Sequence, residues 1–580
     1  MSLPRALLYC CLLVSVSFPA LGGTWTPDPS LGNVDQHRRL YEIARHYCEV
    51  NFDPDANLVG TPCANPPNKK HHGTGGSCAY AYTLLLTGDP ADQALAQKIL
   101  KRVLACQDTN PASPTCGAFD WYTEDAKPGD LNSAPFVGGG LAGILDLDRQ
   151  RPCLDPDVRS AVQNAVRLAV GAVMRRDVDP GYTNIAFIST ALAAAGEKLL
   201  AVPGAGAWAQ AKLDAIMALA DDGEFAEYLS PTYTAVALDG AYACRRYAFS
   251  DAFSAKADAA INHLWKQVAL AYHAPTYQLG GPFLRAYGDD MLEYCANLKY
   301  WIYLATDGAY PLPDTDTAHD WGKAGLASLA AQAVAPRPEF QLPHAPWREW
   351  NAVGSGTTPV RHLSQYREGN FILGTVAFQD EWKQKRNLVA YWRNDGPPPL
   401  GMSVGFCLDE SNESESIPGI PGEKIHFYSK QVKDAALVAL ATTAPIPGRD
   451  VSTLVFNGGA VMDDKGVFPF RIQDGTITAY LYPVTNGSVQ FATQLNTNPV
   501  SNGQDYFNVR PVPYRISRVM RFWDSADSIG NVHIMSYVIV FRPSDQLPPK
   551  VSDLALKTDA NGISASARVD GADLSVSFKN

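Results

Sequence analysis

The sequence has 580 residues, of which 46% are hydrophobic and 18% are charged, a composition typical of a globular protein with a sizeable core. A chain of this length is expected to form two domains. The formal net charge of -11 argues against nucleic acids and anionic membranes as general partners, but it does not exclude an acidic substrate bound by a local cluster of Arg and Lys.

Residues 1–23 have the layout of a secretory signal peptide. They contain Arg5, the apolar run "ALLYCCLLVSVSF" and the small-residue end "PALGG". A lipid-anchored Cys10 is disfavoured because "LLYC" lacks a small residue before the cysteine. No later stretch approaches the ~20 apolar residues that span a bilayer. We therefore expect a secreted protein, extracellular or periplasmic if bacterial.

The cysteines cluster near the N-terminus of the expected mature chain. Five of them lie within residues 48–116, namely Cys48, Cys63, Cys78, Cys106 and Cys116. In an oxidising compartment this spacing suits one or two disulfides, and the equal alternative is buried free thiols. Because no CxxC pair occurs, we expect no structural zinc.

Residues 34–334 read as a series of amphipathic helices. Stretches such as "PDVRSAVQNAVRLAVGAVMRR", "GAWAQAKLDAIMALA" and "GKAGLASLAAQAV" place apolar residues three and four positions apart. The pattern predicts about eleven helices of mostly 12 to 20 residues and no strand.

A proline-rich stretch, "VAPRPEFQLPHAP", then separates two kinds of sequence. After it, short runs such as "NFILGTVAF", "RNLVAYWRN", "TITAYLYPV" and "NVHIMSYVIVFRP" are rich in β-branched and aromatic residues. The pattern predicts an α+β multidomain protein, with a helical domain at 24–335, a linker at 336–346 and an antiparallel β-sandwich at 347–580.

Three loops that precede helices carry an excess of polar side chains. "DPGYTNIAF" holds Tyr182 and Asn184, and "YQLGGPFLRAYGDDM" holds Arg285. Between them, "DGEFAEYLSPTY" leads to Tyr233, where Ser230 or Thr232 is expected to cap a helix that begins near Tyr233.

This arrangement resembles the polysaccharide lyases of the hyaluronate, chondroitin, alginate and heparin lyase group. Asn184, "DGEF" leading to Tyr233, and "FLRAYG" with Arg285 follow the same order as the corresponding lyase segments. The resemblance implies an N-terminal (α/α) toroid followed by a β-sandwich. It also implies β-elimination on a uronic-acid-containing polysaccharide or oligosaccharide, which leaves a 4,5-unsaturated uronate end.

The resemblance also implies roles for these residues. Asn184 would neutralise the uronate carboxylate, Tyr233 would transfer protons and Arg285 would assist the carboxylate or the phenol. Such lyases place a His between the Asp-Gly turn and the Tyr, and this sequence has none there. Tyr233 could therefore act as both base and acid, or a histidine from elsewhere could serve, with His72 and His273 as the best candidates and His344 as a further one.

The predicted substrate-binding side chains are Tyr182, Tyr228, Tyr287, Glu227 and Trp121. Neither a metal nor another cofactor is expected, and the expected partner is an acidic polysaccharide or oligosaccharide rather than a nucleic acid or a membrane. We expect a monomer or a small homo-oligomer.

Simpler roles compete with these. Asn184 could cap its own helix, Arg285 could pair with Asp289, and either histidine could be structural. Two other functions remain open, a non-catalytic glycan-binding protein and a glycoside hydrolase that uses paired carboxylates. The carboxylates available for hydrolysis are Asp222, Glu224, Glu227, Asp289 and Asp290.

Overall fold

A computed structural model describes most of the helical half and the greater part of the strands. The described residues are 23–29, 33–62, 70–125, 128–221, 223–227, 229–286, 291, 296–312, 321–352, 360–379, 385–393, 404–409, 426–442, 453–457, 461–462, 470–473, 476–484, 489–495, 516–522, 527–529, 532–559 and 562–578.

Within these residues, the first half of the chain forms eleven α-helices. They are α1 (Val34–Asn51), α2 (Thr74–Thr87), α3 (Pro90–Leu104), α4 (Ser133–Gln150), α5 (Pro156–Arg176), α6 (Thr183–Leu200), α7 (Ala205–Asp221), α8 (Tyr233–Arg246), α9 (Asp251–Ala271), α10 (Leu298–Ala305) and α11 (Leu326–Ala330). Local signals explain several starts: α5 begins at a proline, and the Ser250 hydroxyl before α9 accepts a hydrogen bond from Phe253 N.

The helices contact one another in two alternating series. One series runs through α2, α4, α6 and α8, and the other through α3, α5, α7 and α9, while α1 contacts α2, α10 and α11. Helix α6 is buried on all sides from Thr183 to Gly196, whereas α5 buries a single stripe. The amphipathic pattern is thus seen in α5, which belongs to the second series. Helix α6 belongs to the first series, is apolar on all sides and lies between its neighbours.

Two details of the helical half differ from the sequence prediction. Five short strands occur where none was expected, namely β1 (Phe52–Asp53), β2 (Leu58–Pro62), β3 (Lys70–His72), β4 (Tyr272–His273) and β5 (Gln278–Leu279). They are two to five residues long and pair locally, so they leave no periodic signal. The stretch "GKAGLASLAAQAV" forms a 3-10 turn at Trp321–Gly325 and then the short α11, since Gly325 weakens a continuous helix.

The second half is built from antiparallel strands. The described strands are β6 (Trp347–Ala352), β7 (Arg361–Glu368), β8 (Phe371–Val376), β9 (Phe378–Gln379), β10 (Leu388–Arg393), β11 (Val404–Asp409), β12 (His426–Val432), β13 (Ala435–Thr442), β14 (Thr453–Asn457), β15 (Val461–Met462), β16 (Phe470–Gln473), β17 (Ile477–Pro483), β18 (Val489–Leu495), β19 (Ile516–Phe522), β20 (Asp527–Ile529), β21 (Val532–Pro543), β22 (Val551–Asp559), β23 (Gly562–Val569) and β24 (Ala572–Phe578). The strand-like runs of the sequence all fall on these elements.

The strands form two eight-stranded sheets and one three-stranded sheet. The first sheet has the order β18-β19-β14-β11-β10-β8-β7-β6, and the second has the order β15-β16-β17-β21-β13-β12-β9 with β20 paired to β21. Phe541 of the second sheet lies 5.3 Å, between ring centroids, from Phe371 of the first. Strands β22–β24 form the third sheet, and Phe578 packs on Tyr428 of β12 at 5.0 Å.

The first sheet holds two loops of the helical half. Glu224 N donates to Asn351 O of β6 at 2.7 Å. The Gly280-Gly281 turn lies against β8 and β10 so closely that a Cβ on Gly374 would overlap Gly281 O, and a Cβ on Gly281 would lie 2.5 Å from Val389. Arg367 of β7 donates to the carbonyls of Leu270 and Tyr272 at the end of α9. The sheet therefore fixes the chain on both sides of the Tyr233 loop.

The described cysteines do not form disulfides, which corrects the disulfide alternative for them. Cys48, Cys78, Cys106, Cys116, Cys153 and Cys244 are all free thiols. Cys78 packs in the helical core, where burial raises its pKa to about 12. Cys48 and Cys78 occupy buried packing positions in α1 and α2, and the side chain of Cys63 lies outside the described residues.

None of the described helices combines the length and the apolarity that crossing a membrane requires.

Candidate functional site

Arg285 is the centre of a buried polar cluster at the start of two helices. Its Nη1 donates to Glu227 Oε1 at 2.8 Å and its Nη2 donates to Tyr233 Oη at 3.1 Å. The guanidinium carbon lies 4.2 Å from the centroid of the Tyr233 ring and 5.7 Å from that of the Tyr182 ring. Burial alone would lower the pKa of Arg285, but Tyr233 and Glu227 more than offset this effect, and the pKa is raised. The site therefore holds a permanent positive charge against a phenol oxygen.

Glu227 ties Arg285 to Asn184. Its carboxylate accepts from Asn184 N at 2.7 Å and from Asn184 Nδ2 at 2.8 Å, and its own N–H donates to Thr183 Oγ1 at 3.3 Å. Burial raises the pKa of Glu227, against the opposing effects of Arg285 and Asn184. Both carboxylate oxygens of Glu227 therefore accept hydrogen bonds within the protein.

The Asn184 side chain does not cap α6, contrary to the capping alternative. Instead, the Glu227 carboxylate accepts the backbone N–H of Asn184 in the first turn of α6. Asn184 Oδ1 is buried and has no hydrogen-bond partner among the described residues. A buried amide oxygen left unpaired is uncommon, and a catalytic role or a bound water is among the explanations for one.

Ser230 explains why the helical pattern breaks at "LSPTY". Its hydroxyl accepts from Tyr233 N at 2.9 Å and donates to the backbone oxygen of Arg285. Helix α8 begins at Tyr233, as predicted, and Leu229 turns the chain into it with a φ of 48°. One hydroxyl thus joins the start of the helix that carries Tyr233 to the loop that carries Arg285.

A row of side chains extends the cluster along the surface. Asn132 Nδ2 donates to Tyr182 Oη at 3.3 Å and lies at the same distance from Asp130 Oδ2. Trp121 Nε1 also donates to Asp130 Oδ2, at 3.2 Å. Trp121 and Tyr182 therefore lie on one hydrogen-bonded row beside Arg285, as two of the predicted substrate-binding side chains.

Neither candidate histidine joins this cluster. His72 lies between two carboxylates, with Nδ1 2.6 Å from Glu124 Oε1 and Nε2 3.3 Å from Asp53 Oδ2. His273 is buried, and its Nε2 lies 3.2 Å from Gly369 O in the turn between β7 and β8. Burial, with Arg367 nearby, lowers the pKa of His273 to about 3. Both histidines are thus held by contacts outside the cluster.

Some predicted residues fall outside the described part of the chain. Among the substrate-binding residues they are Tyr228 and Tyr287. Among the carboxylates they are Asp222, Asp290 and Asp289, the last of which was the expected partner of Arg285. His344 is described, and burial with Arg367 and Arg348 nearby lowers its pKa. Within the described residues, no group of three or more His, Cys, Asp or Glu side chains is arranged to hold a metal ion.

A second carboxylate, which the sequence analysis named only for the hydrolase alternative, lines the same pocket as Tyr233 and Glu227. Glu224 is 3% exposed, and its Oε1 lies 3.4 Å from His263 Nε2. The pocket is completed by Thr183, Thr234, Gln267 and a set of apolar side chains, namely Phe225, Leu229, Ala237, Leu264 and Val268. The sequence gives no signal for His263, because it lies within the regular helical pattern of α9 and not beside a loop.

Solved structures of polysaccharide lyases are similar to this chain at low sequence identity. Heparinase III is 13% identical, with 87% of this chain and 81% of that chain covered and a TM-score of 0.40. Chondroitinase AC lyase is 11% identical, with 93% and 86% covered and a TM-score of 0.39. A heparan sulfate lyase HepC mutant from Pedobacter heparinus is 9% identical, with 87% and 82% covered and a TM-score of 0.33.

No curated protein matches this chain. A family model described as "Domain of unknown function (DUF8769)" matches residues 38–330, just over half of the sequence and nearly all of the described helices. The chain therefore belongs to the DUF8769 family.

Proposed function

We propose that this protein is a secreted polysaccharide lyase that cleaves a uronic-acid-containing polysaccharide or oligosaccharide by β-elimination. The proposal includes a helical (α/α) toroid at 24–335, a linker at 336–346 and a β-sandwich at 347–580. Two alternating helix series and two antiparallel sheets in contact support this division. Residues 1–23 would be the signal peptide.

The contact between Arg285 and Tyr233 carries the proposal. Elimination needs a base for the C5 proton of the uronate, an acid for the departing O4, and a positive charge that stabilises the enolate-like intermediate. A guanidinium that donates to a phenol oxygen stabilises the deprotonated phenol, which is the form that accepts a proton. Arg285 supplies the charge and Tyr233 carries the proton, and Arg285 Nη2 lies 3.1 Å from Tyr233 Oη.

The proposed reaction restores Tyr233 at its end. The Tyr233 phenolate takes the C5 proton, the electron pair of that C–H bond forms the C4=C5 double bond, and the C4–O4 bond breaks. The resulting phenol then gives its proton to O4, which leaves as a hydroxyl. Removal and delivery of a proton by one group suit syn elimination. The proposed reaction therefore requires no histidine.

Asn184 and Glu227 would support this chemistry by holding Arg285 in position. Asn184 was expected to neutralise the uronate carboxylate, but its Nδ2 donates to Glu227, so we assign that charge role to Arg285. Glu227 would hold the guanidinium in place through its 2.8 Å hydrogen bond. Asn184 would in turn fix the Glu227 carboxylate and present its unpaired Oδ1 to a hydroxyl of the substrate.

The direct test is to incubate the purified protein with a panel of uronate polysaccharides and follow the ultraviolet absorbance of the unsaturated product. The panel would contain hyaluronan, chondroitin, heparosan, alginate and their sulfated counterparts. We expect absorbance with the wild type and its loss, by at least about a hundredfold in rate, with Tyr233→Phe. Binding of the same polysaccharide by Tyr233→Phe, measured by calorimetry, would show that the variant still recognises substrate.

Two other outcomes would contradict the proposal. New reducing ends without ultraviolet absorbance would indicate hydrolysis by paired carboxylates. Glu227 is poorly placed for hydrolysis, because Asn184 and Arg285 occupy its oxygens. Binding without any product, in wild type and variant alike, would indicate a non-catalytic glycan-binding protein.

A further inference from the structure

Arg348 of β6 brings a positive charge from the sheet to the edge of the helical half. Its Nη2 donates to Gln267 Oε1 of α9, and its guanidinium carbon lies 4.0 Å from the centroid of the Trp350 ring. Its Nη1 is buried and has no hydrogen-bond partner among the described residues. Burial lowers the pKa of Arg348 to about 10, and Arg367 of the adjacent strand β7 is a second positive charge nearby. A guanidinium in such surroundings is costly unless a carboxylate lies near it.

Glu224 supplies the opposite charge. It is 3% exposed, and its charge opposes the effect of burial on the pKa of Arg348. Its Oε1 accepts from Phe225 N at 2.9 Å and lies 3.4 Å from His263 Nε2 of α9. Its Oε2 is buried and, like Arg348 Nη1, has no hydrogen-bond partner among the described residues. A carboxylate oxygen can only accept and a guanidinium nitrogen can only donate, so the two groups are complementary.

The backbone also holds Glu224 beside β6. Its N–H donates to Asn351 O at 2.7 Å, and it forms a parallel bridge with Ala352. Gly223 precedes it with a φ of 152°, and a Cβ there would lie 2.5 Å from Asn351 O. The backbone and the side chain of Glu224 are thus both connected with the strand that carries Arg348.

This junction belongs to the same loop as the site. Glu224 and Glu227 are three residues apart, and both line the pocket that contains Tyr233. Glu227 in turn accepts from Arg285 at 2.8 Å. A shift of Glu224 would therefore move the carboxylate that holds Arg285, and a misplacement of about 1 Å can cost on the order of a hundredfold in rate.

We propose that Arg348 is a positioning residue for the site: its charge keeps the Glu224 carboxylate in the junction, and Glu224 in turn places the loop with Glu227. In this role Arg348 acts through Glu224 and does not touch the substrate. The sheet thereby contributes a side chain on which the geometry around Tyr233 depends. This inference rests on the proposed function, since the reaction takes place in the same pocket.

A double-mutant cycle tests this role, with the variants Arg348→Met, Glu224→Gln and their combination. We expect each single variant to lower Tm by at least about 3 °C, because one charge of the junction loses its partner. The double variant should lose less Tm than the two single variants together, because no charge of the pair remains. Arg348→Met should also lower kcat about tenfold, with KM within about threefold, and the double variant should recover most of that kcat.

The control is Arg568→Met, which removes an arginine of β23. The Arg568 side chain is 49% exposed and pairs with Asp573 at 2.7 Å, so this variant should keep wild-type Tm and kcat. Wild-type kcat in Arg348→Met would overturn the positioning role. A double variant that loses as much Tm as the two single variants together, or that recovers no kcat, would show that Arg348 does not act through Glu224 and would overturn it as well.

Hydrogen exchange of residues 223–233, measured by mass spectrometry without substrate, separates this inference from the reaction. Exchange should be faster in Arg348→Met than in the wild type and in Arg568→Met, and it should return toward the wild-type rate in the double variant. If no polysaccharide yields an unsaturated product with the wild type, the lyase proposal fails, and the same pattern of exchange and Tm would still support the positioning role. Unchanged exchange in Arg348→Met would refute that role whatever the activity.

Discussion

Glu227 is the residue on which the geometry of the site depends most. Its carboxylate receives Arg285 from one side and Asn184 from the other, and it is buried. In Glu227→Gln, an amide N–H₂ would face the donors of Asn184 or Arg285, and the guanidinium would lose its fixed partner. We expect kcat to fall about a hundredfold, with KM within about threefold, as measured by formation of the unsaturated product.

The matched control for this prediction is Glu124→Gln. Glu124 also accepts hydrogen bonds, from His72, but it lies outside the cluster. The Glu124→Gln variant should keep wild-type kcat. A Glu227→Gln variant with kcat within about threefold of wild type would contradict the prediction, because it would show that Arg285 holds its position without Glu227.

At this scale, the sequence anticipated which residues meet but not how they are bonded. Asn184, Tyr233 and Arg285 lie on three helix-start loops, and the packing of α6 beside α8 brings two of those loops together. The hydrogen bonds between Glu227 and Asn184 could not be predicted, because they depend on side-chain directions that periodicity does not encode. The sequence did not point to His263 either, since His263 lies within the unbroken helical pattern of α9.

Helix starts offer a prediction at the scale of elements. Ser230→Ala removes the hydroxyl that accepts from Tyr233 N and donates to Arg285 O. We expect a stability loss of about 1 to 2 kcal/mol, typical of a lost cap, together with a fall in kcat of about tenfold or more. Thermal unfolding and the absorbance assay measure the two effects.

Ser250→Ala is the matched control for Ser230→Ala. Ser250 accepts from Phe253 N at 3.1 Å at the start of α9 and has the same capping chemistry. The Ser250→Ala variant should lose a similar amount of stability and keep wild-type kcat. Equal kcat values in both variants would mean that Ser230 is only a helix cap.

His273 joins the end of α9 to the turn between β7 and β8, and it makes the junction sensitive to acid. Because its folded pKa is about 3 and its ordinary value is 6.5, the unfolded chain binds one more proton between these values. Its contribution to stability is therefore complete above about pH 6.5 and is lost as the pH falls toward 3. His273→Gln can keep the hydrogen bonds that the imidazole makes to Gly369 O and to Thr276 Oγ1, and it does not titrate. Tm should therefore fall less between pH 7 and pH 4.5 in this variant than in the wild type.

The exposed His362→Gln, on β7, is the control for this pH series and should retain the acid sensitivity of the wild type. Equal slopes of Tm against pH in the wild type and His273→Gln would contradict the assignment.

At the scale of the whole molecule, the sheet and the helical half are joined by close backbone contacts. A Cβ on Gly374 of β8 would overlap Gly281 O, in the loop that leads to Arg285. Gly374→Ala should therefore cost about 2 kcal/mol or more and lower kcat, as thermal unfolding and the absorbance assay would show. Gly139→Ala in α4 meets no atom within 4 Å and should instead raise stability by up to about 1 kcal/mol. The same sign of change in both variants would refute this account of the junction.

The two halves of the chain could be recognised from the sequence because their periodicities differ. Strong patterns such as those of α5 and β21 gave the correct element at the correct place. The pairing order of the sheets, with β14 between β11 and β19, could not be foreseen, since strands of similar composition can pair in many ways. The contact of Glu224 with β6 was equally hidden, because it joins residues far apart in the chain.

That contact also has a consequence for biosynthesis. During translation the helices emerge first and can begin to fold, while Asn351 is still to be added. Until β6 is made, the loop with Glu224 lacks the strand that fixes it, and the Gly280-Gly281 turn lacks β8 and β10. The pocket around Tyr233 is therefore completed only after the ribosome has passed into the second half of the message, so a prematurely terminated chain would carry every residue of the cluster and still lack a finished site.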